Sequence, residues 1–126
     1  MPAVIVGYAR PPFTPARKGA LARTRPDDIA AAVVNRLISD VGVDPSMVED
    51  LIVVCAFPEA EQGYNLARTI TSLIHLPNTV PVVPINRFSG SPMQSIPDPA
   101  AHTNSRQGEV FIAGGDEHTS RGEVPG

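Results

Sequence analysis

The residues best suited to chemistry in this chain lie in one short segment, residues 86–91, with the sequence NRFSGS. An apolar run, residues 80–85, precedes this segment, which we therefore predict to lie where a strand ends and a helix begins. In open parallel sheets, reacting groups gather at this position. Ser89 is the candidate nucleophile, because unpaired backbone N–H groups at a helix start create a positive field and Gly90 leaves room for substrate.

A serine hydroxyl needs an adjacent general base before it attacks a carbonyl. The chain has three histidines, His75, His102 and His118, and we interpret each as a surface or loop residue. His118 is the best candidate base, because it follows a strand predicted to end at the same sheet edge as Ser89. The sequence around Ser89 differs from the Gly-x-Ser-x-Gly elbow of hydrolases. A serine hydrolase that uses Ser89 and His118 remains one alternative.

Three further residues have candidate roles. Cys55 is the only cysteine, so no internal disulfide forms, and its place in the apolar run 51–56 predicts a small buried side chain. Glu117 is interpreted as a structural acceptor for backbone or arginine groups. Arg87 either pairs with a carboxylate across a subunit interface or is a surface charge, and both interpretations stay open.

Strands and helices are predicted to alternate along the chain. Apolar runs at residues 3–7, 51–56, 80–85 and 109–113 predict buried strands. Helices are predicted from Pro26 to Val41, with Gly42 as the stop, and over residues 62–76; Asp44 is predicted to cap one further turn. This alternation favours an α/β fold with a mostly parallel sheet flanked by helices.

Prolines are unusually concentrated in one part of the chain. Of 14 prolines, five lie between residues 81 and 99, on both sides of Ser89. Pro81 and Pro84 are expected to remove one ladder hydrogen bond on each side of a central strand. Pro97 and Pro99 are expected to lie inside a helix, where each destabilises by about 3 kcal/mol.

Composition indicates a globular protein and restricts its partners. The 126 residues are 42% apolar and 18% charged, with a net charge of -3, so we expect no nucleic-acid partner. No apolar run is long enough to cross a bilayer, so we expect no membrane partner and a cytoplasmic location. The first 26 residues contain five cationic side chains and no acidic one. They are interpreted as a solvated loop in preference to a phosphate-facing patch or a transit peptide.

Four segments of the chain resemble the thiolase family of acetyl-CoA acyltransferases. They are residues 3–13 (AVIVGYARPPF), 61–68 (EQGYNLAR), 86–91 (NRFSGS) and 114–117 (GGDE). The resemblance implies a layered α/β fold built from two similar halves. Residues 1–126 would then form a partial N-terminal domain with a βαβαβαβ pattern, about the first third of a typical family member.

The resemblance also implies a chemistry. In the family, a cysteine at a helix N-terminus takes the acyl group from coenzyme A, and Ser89 occupies that position here. A histidine and a second cysteine of the C-terminal half handle the protons, and we expect this chain to end before them. A coenzyme A thioester would be the substrate, with no covalently bound cofactor, no metal, and a homo-oligomer as the assembly.

Two functions from different classes follow. The first is a thiolase-type acyltransferase, acting in Claisen condensation or thiolytic cleavage, of which this chain is an inactive fragment with Ser89 at the nucleophile position. The alternative is a non-catalytic thiolase-like module that binds an acyl-CoA or a protein partner.

Overall fold

The structure is a computed structural model that describes residues 2–55, 66–85, 96, 99–101 and 108–116. Its elements, in chain order, are α1 (Pro26–Val41), a 3-10 turn (Pro45–Met47), β1 (Asp50–Val54), α2 (Leu66–Thr71), β2 (Val82–Ile85) and β3 (Phe111–Gly115). The three described strands form one sheet in the order β2-β1-β3, and both pairings are parallel. This architecture confirms the predicted α/β fold with a parallel sheet and helices.

Helix α1 begins where local signals predict. Pro26 occupies the first turn, where its missing N–H breaks no hydrogen bond. Asp27 follows and is buried, and its carboxylate accepts hydrogen bonds from Nε and Nη2 of Arg25, both at 3.0 Å. This bidentate pair fixes the chain as it enters the helix.

The C-terminal end of α1 and the next turn also match their predictions. Gly42 adopts a left-handed conformation with φ of 73°, and its N–H donates to the Ile38 carbonyl oxygen at 3.0 Å. The Asp44 carboxylate then caps the 3-10 turn by accepting from the backbone N–H of Ser46 at 2.9 Å and from its hydroxyl at 2.8 Å. These two hydrogen bonds, the backbone one foremost, hold the pKa of Asp44 below its ordinary value of 3.8.

The core forms around β1, the middle strand. Residues 51–54 are buried, and the register places Leu51 beside Val82 of β2 on one side and Ile112 of β3 on the other. Both helices contribute to one apolar cluster with the sheet, which comprises Ala31, Ile38, Val48, Leu51, Val53, Cys55, Ala67, Ile70, Ile74, Leu76, Val80 and Ile112. A continuous apolar strand is what a parallel sheet covered on both faces requires.

The prediction of a buried strand at residues 3–7 is wrong. These residues belong to no strand of the described sheet, and Val4, Ile5 and Val6 are 75%, 75% and 74% exposed. A strand is stabilised by hydrogen bonds to a neighbour, and both sides of β1 are already taken by β2 and β3. The apolar run therefore has no described partner strand. Its apolar composition alone does not bury it.

The lack of a side chain at Gly7 allows this run to lie close to α1. A Cβ placed on Gly7 would lie 2.4 Å from Cγ2 of Val41 and 3.3 Å from Cδ1 of Leu37. Residues 9–11 continue along the helix, where they line a cleft of about 390 Å³ together with Leu21, Thr24 and one side of α1. Residues 16–24 form turns, in agreement with the loop interpretation of the basic N-terminal part.

Helix α2 is shorter than predicted, because it ends at Thr71 instead of residue 76. Its last residues carry hydroxyls that bind main-chain carbonyls: Oγ1 of Thr71 donates to Arg68 at 2.6 Å, and Oγ of Ser72 donates to Thr69 at 2.7 Å. The N–H of Ser72 also donates to the Thr69 carbonyl, three residues back, at 3.3 Å. Such bonds tighten and end a helix. Residues 62–65 of the predicted helix lie outside the described residues.

The prediction that two prolines disrupt a central strand is also wrong. Pro81 precedes β2, and its carbonyl oxygen accepts from the N–H of Leu51 at 3.1 Å. This bond sets a register in which Val83 directs its N–H toward β1 and Pro84 directs its nitrogen to the open side. Since β2 is an edge strand of the described sheet, Pro84 removes no ladder bond within it.

Pro99 lies in helical residues 99–101 and is buried, with the N–H of Ala100 bonded to the Ile96 carbonyl at 3.2 Å. Pro97 lies outside the described residues. None of the helices described in the structure is long and apolar enough to span a bilayer.

Candidate active site

The candidate site is the carboxyl edge of the sheet, where the three parallel strands end together. β1 ends at Val54, β2 at Ile85 and β3 at Gly115. Ser89 follows the end of β2 by four residues along the chain, and Glu117 and His118 follow the end of β3. These three residues, and Arg87 and His102, lie outside the described residues, so their predicted roles stay predictions.

A thiol and a carboxyl group lie in the described part of this edge. Cys55 and Asp116 are the first residues beyond the ends of β1 and β3, and they are 4% and 7% exposed. The N–H of Asp116 donates to the Val54 carbonyl oxygen at 2.9 Å, which continues the ladder past the last paired residues. The prediction of a small buried side chain at Cys55 is confirmed. The structure adds a buried carboxyl group beside it, which the sequence pattern did not identify.

Gly114 lacks a side chain near the end of β3. A Cβ placed on Gly114 would meet no atom within 4 Å among the described residues, although Gly114 pairs with the buried Val53 of the central strand. A strand end without side chains permits close approach of a ligand or of another backbone. Among the described residues, the carboxyl edge therefore combines two buried polar side chains with a glycine whose added Cβ would contact no neighbour. Sites in parallel sheets usually lie at this edge.

The opposite edge of the sheet fixes the strands that lead to the site. The Glu49 carboxylate accepts hydrogen bonds from the backbone N–H groups of Glu109 and Val110, the latter at 3.4 Å. The N–H of Glu49 in turn donates to the Val110 carbonyl oxygen at 2.9 Å. Because these bonds set the register of β3 against β1, they also set where Asp116 lies at the far end.

His75 lies near the amino end of β2. It is exposed in the connection from α2 to the amino end of β2, whereas Ser89 follows the carboxyl end of that strand. The Asn35 side chain of α1 holds this connection, accepting from the N–H of His75 at 2.9 Å and donating to the Leu73 carbonyl oxygen at 3.5 Å. The loop interpretation of His75 is confirmed.

Within the described ranges, no group of three or more His, Cys, Asp or Glu side chains is arranged to hold a metal ion.

Comparison with known proteins gives the class of this chain. The family profile described as the thiolase N-terminal domain matches residues 3–124. The chain is 44% identical over 119 residues to a 3-ketoacyl-CoA thiolase of Bacillus subtilis, and 37% identical over 116 residues to one of Saccharophagus degradans. These alignments cover 94% and 91% of this chain and 30% of each relative.

A solved structure gives the same result. The crystal structure of the Bacillus anthracis acetyl-CoA acetyltransferase superposes with a TM-score of 0.87 at 30% sequence identity. It covers 97% of this chain, which corresponds to 30% of that protein. The chain belongs to the thiolase family. It spans about 30% of the length of the relatives it matches, within their N-terminal part.

Proposed function

We propose that this chain forms the N-terminal part of a thiolase-type acyl-CoA acyltransferase, which transfers an acyl group from coenzyme A in Claisen condensation or thiolytic cleavage. The main support for the proposal is that the family match and the position of β2 indicate the same site. The family match runs through residues 3–124, and the parallel strand β2 ends four residues before Ser89, the residue at the family's nucleophile position. The same edge carries the buried Cys55 and Asp116, and also Gly114, where an added Cβ would meet no described atom within 4 Å.

In this proposal, the side chain at position 89 attacks the thioester carbonyl carbon. A bond forms between the nucleophile and the acyl carbon, the carbon–sulfur bond breaks, and coenzyme A leaves as a thiol with the proton that the nucleophile gives up. Backbone N–H groups of the following helix would stabilise the negative charge that develops. A serine hydroxyl is far less acidic than a thiol and attacks only with a base beside it. We therefore propose that the chain with Ser89 is inactive in turnover.

The rest of the proposal concerns partners and setting. The substrate is a coenzyme A thioester, no cofactor is covalently bound, and residues 1–126 act as a partial N-terminal domain within a homo-oligomer. We also propose a cytoplasmic location and a role in fatty acid metabolism; the relatives' name, 3-ketoacyl-CoA thiolase, supports the acyl-CoA substrate class.

A second candidate is a non-catalytic module that binds an acyl-CoA or a protein partner through the same edge. The observation that favours it is the hydroxyl at position 89 in place of a thiol. The two candidates differ in whether a thiol restored at that position receives an acyl group.

The test compares the natural chain with the variants Ser89→Cys and Ser89→Ala after incubation with acetyl-CoA. Intact mass and peptide mapping report acetylation and its position. We expect one acetyl group on residue 89 of Ser89→Cys and none on the natural chain or Ser89→Ala. Binding of acetyl-CoA without acetylation of Ser89→Cys would favour the non-catalytic module. Acetylation of Ser89 itself would contradict the proposed inactivity, and its labelling by a fluorophosphonate probe would favour a serine hydrolase.

A further inference from the structure

The segment from residue 10 to residue 25, called the basic loop below, is strongly cationic. It carries five cationic side chains and no acidic one, whereas all 13 acidic side chains of the chain lie after it. All five cations are exposed, and one of them, Arg25, forms an ion pair with Asp27. A concentrated positive surface on a chain with a net charge of -3 indicates an anionic partner.

The basic loop has a defined main-chain conformation. The N–H of Gly19 donates to the Pro15 carbonyl oxygen at 2.7 Å, and the N–H of Lys18 donates to the Ala16 carbonyl oxygen at 2.8 Å. Within this turn, Arg17 has a positive φ of 64°, which is uncommon for residues other than glycine. A loop whose main chain is already ordered loses less conformational entropy when it binds a ligand.

One arginine of the loop lies against an exposed aromatic ring. Cζ of Arg10 is 5.4 Å from the centroid of the Phe13 ring, and Nη1 of Arg10 donates to the Pro11 carbonyl oxygen at 3.2 Å. Phe13 itself is 91% exposed. Nucleic-acid bases stack on exposed aromatic rings and on guanidinium planes, and arginine and lysine bind phosphate. The basic loop therefore combines the groups that recognise a phosphorylated nucleoside.

The chain enters the basic loop along α1, in the direction opposite to the helix. Gly7 lies beside Val41, at the last turn of α1. Residues 9–11 lie farther toward the start of the helix, where they line the cleft with Ile29 and Ala32 among others. The basic loop therefore lies beyond the first turn of α1.

The first turn of α1 is directed toward the carboxyl edge of the sheet. Asn35, in the middle of the helix, contacts residues 73 and 75 in the connection that leads to the amino end of β2. From Asn35 back to Pro26 the helix rises about 14 Å, and β1 is about 13 Å long from its first residue to its last. The start of α1, with the basic loop before it, therefore lies at the end of the fold that carries the candidate site.

The cations distinguish the basic loop from the exposed apolar run at residues 3–7. Apolar surface is stabilised by any protein that covers it, including the remainder of the subunit. Ammonium and guanidinium groups lose their hydration under such a cover, which is unfavourable unless each of them finds an anionic partner. Phosphate groups supply these partners while the loop stays in contact with water. A phosphorylated ligand is therefore favoured over burial of the basic loop beneath more protein.

We propose that the basic loop binds the phosphorylated adenosine end of a coenzyme A thioester, with the adenine base stacked on Phe13 and the phosphates bound by Arg17, Lys18 and Arg23. This assignment rests on the proposed function and adds the residues that recognise the nucleotide. In coenzyme A, a long uncharged arm separates the sulfur from the phosphates. The basic loop and the nucleophile position therefore bind opposite ends of one ligand at the same end of the fold.

The first test measures binding of adenosine 3′,5′-bisphosphate to the full 126-residue chain by isothermal titration calorimetry. This probe contains the base and phosphates but no thioester, so its binding does not depend on acyl transfer. We expect the affinity to fall with added salt, and to fall about tenfold or more when Arg17→Gln and Lys18→Gln are combined. Arg36→Gln is the matched control and should leave the affinity unchanged, since Arg36 is exposed in the middle of α1 and pairs with Asp40.

The second test separates recognition of the base from recognition of the phosphates. Phe13→Ala should weaken binding of adenosine 3′,5′-bisphosphate by about tenfold and leave binding of pyrophosphate unchanged, because only the base stacks on the ring. Lys18→Gln should weaken binding of both probes. Met47→Ala removes an exposed apolar side chain from the 3-10 turn and should change neither affinity. Circular dichroism of each variant verifies that the chain is folded.

Three results would overturn the proposal: no binding of adenosine 3′,5′-bisphosphate to the natural chain, an affinity that the combined Arg17→Gln and Lys18→Gln changes leave intact, or a Phe13→Ala variant that binds both probes as the natural chain does. Tighter binding of ATP than of acetyl-CoA would contradict the proposal by assigning the loop to a free nucleotide. Tighter binding of a single-stranded oligonucleotide would contradict it by assigning the loop to a polymer.

Failure of this proposal and failure of the proposed function are distinguishable. Acetylation of Ser89→Cys without binding of adenosine 3′,5′-bisphosphate would overturn the role of the basic loop and leave the acyltransferase assignment in place. Binding of the bisphosphate without acetylation would support the basic loop and favour the non-catalytic module.

Discussion

Two apolar runs of this chain, residues 3–7 and residues 51–55, have similar compositions and opposite environments. The first reads AVIVG and the second LIVVC. The second is the buried middle of the sheet, paired on both sides, whereas the side chains of Val4, Ile5 and Val6 are about three quarters exposed. A β-branched apolar run therefore determines that a segment is able to form a strand. Whether it is buried depends on partners that lie far away in sequence or in another chain.

The sharpest test of this contrast makes the same substitution in both runs. Ile52→Ala should lower the free energy of unfolding by about 2 to 5 kcal/mol, because Ile52 is buried in β1 and its removal leaves a cavity. Ile5→Ala should change it by less than about 0.5 kcal/mol, since that side chain is already in water. Urea unfolding of the two variants measures both effects. Equal losses would show that the two runs are buried alike.

The attachment of the first run to α1 depends on Gly7. Gly7→Ala should destabilise by about 1 to 3 kcal/mol, because the added methyl would overlap Cγ2 of Val41. Gly114→Ala is the matched control and should be nearly neutral, since a Cβ there meets no described atom within 4 Å. Urea unfolding compares their stabilities, and limited chymotrypsin digestion after Tyr8, which Ala9 follows, reports release of the segment. Equal behaviour of the two variants would contradict the close contact with α1.

A smaller effect is expected at Gly42, which ends the helix that supports the first run. Gly42→Ala should cost about 1 kcal/mol through its positive φ alone, because a Cβ at position 42 would meet no described atom within 4 Å. Gly42→Asn should cost less, since asparagine adopts the left-handed conformation more readily. Thermal unfolding of the two variants measures the difference. An Ala variant as stable as the natural chain would contradict the left-handed cap.

The smallest effect concerns Asp44, which caps the turn leading into the second run. The hydrogen bonds from Ser46 favour the carboxylate, so the pKa of Asp44 is lower in the folded than in the unfolded chain. The resulting stabilisation is present at pH values above the ordinary pKa of 3.8, and it is lost as the pH falls through the pKa of Asp44 in the folded chain. The urea midpoint of the natural chain should exceed that of Asp44→Ala at about pH 7, with the difference shrinking toward about pH 3. A difference independent of pH would contradict this account.

Elements specified by local signals are those that the sequence predicts well. Pro26 and Gly42 mark the bounds of α1, and Asp44 marks the following turn, because proline, positive φ and side-chain capping act within a few residues. Apolar runs also locate β1, β2 and β3 to within about two residues, as is usual for element boundaries. The hydroxyls near Thr71 that end α2 early are likewise local, but they compete with a helical periodicity that continues past them.

Features that depend on pairing could not be predicted in this way. The direction of the Pro84 nitrogen follows from a register that Leu51 sets across the sheet. The Glu49 carboxylate binds main-chain groups sixty residues away, and no spacing within the sequence indicates that contact. At the site, burial of Cys55 follows from its apolar run, whereas burial of Asp116 does not, because aspartate is an exposed residue in most contexts.

The most direct test of the account concerns the environment of position 89. In the variant Ser89→Cys, with Cys55→Ser to remove the other thiol, the rate of alkylation by iodoacetamide as a function of pH gives the pKa of the new thiol. We predict a value clearly below the ordinary one of about 8.5, because the helix that we predict to begin at position 89 would favour the thiolate at its N-terminus. A pKa at or above about 8.5 would contradict the assignment of position 89 as the nucleophile position.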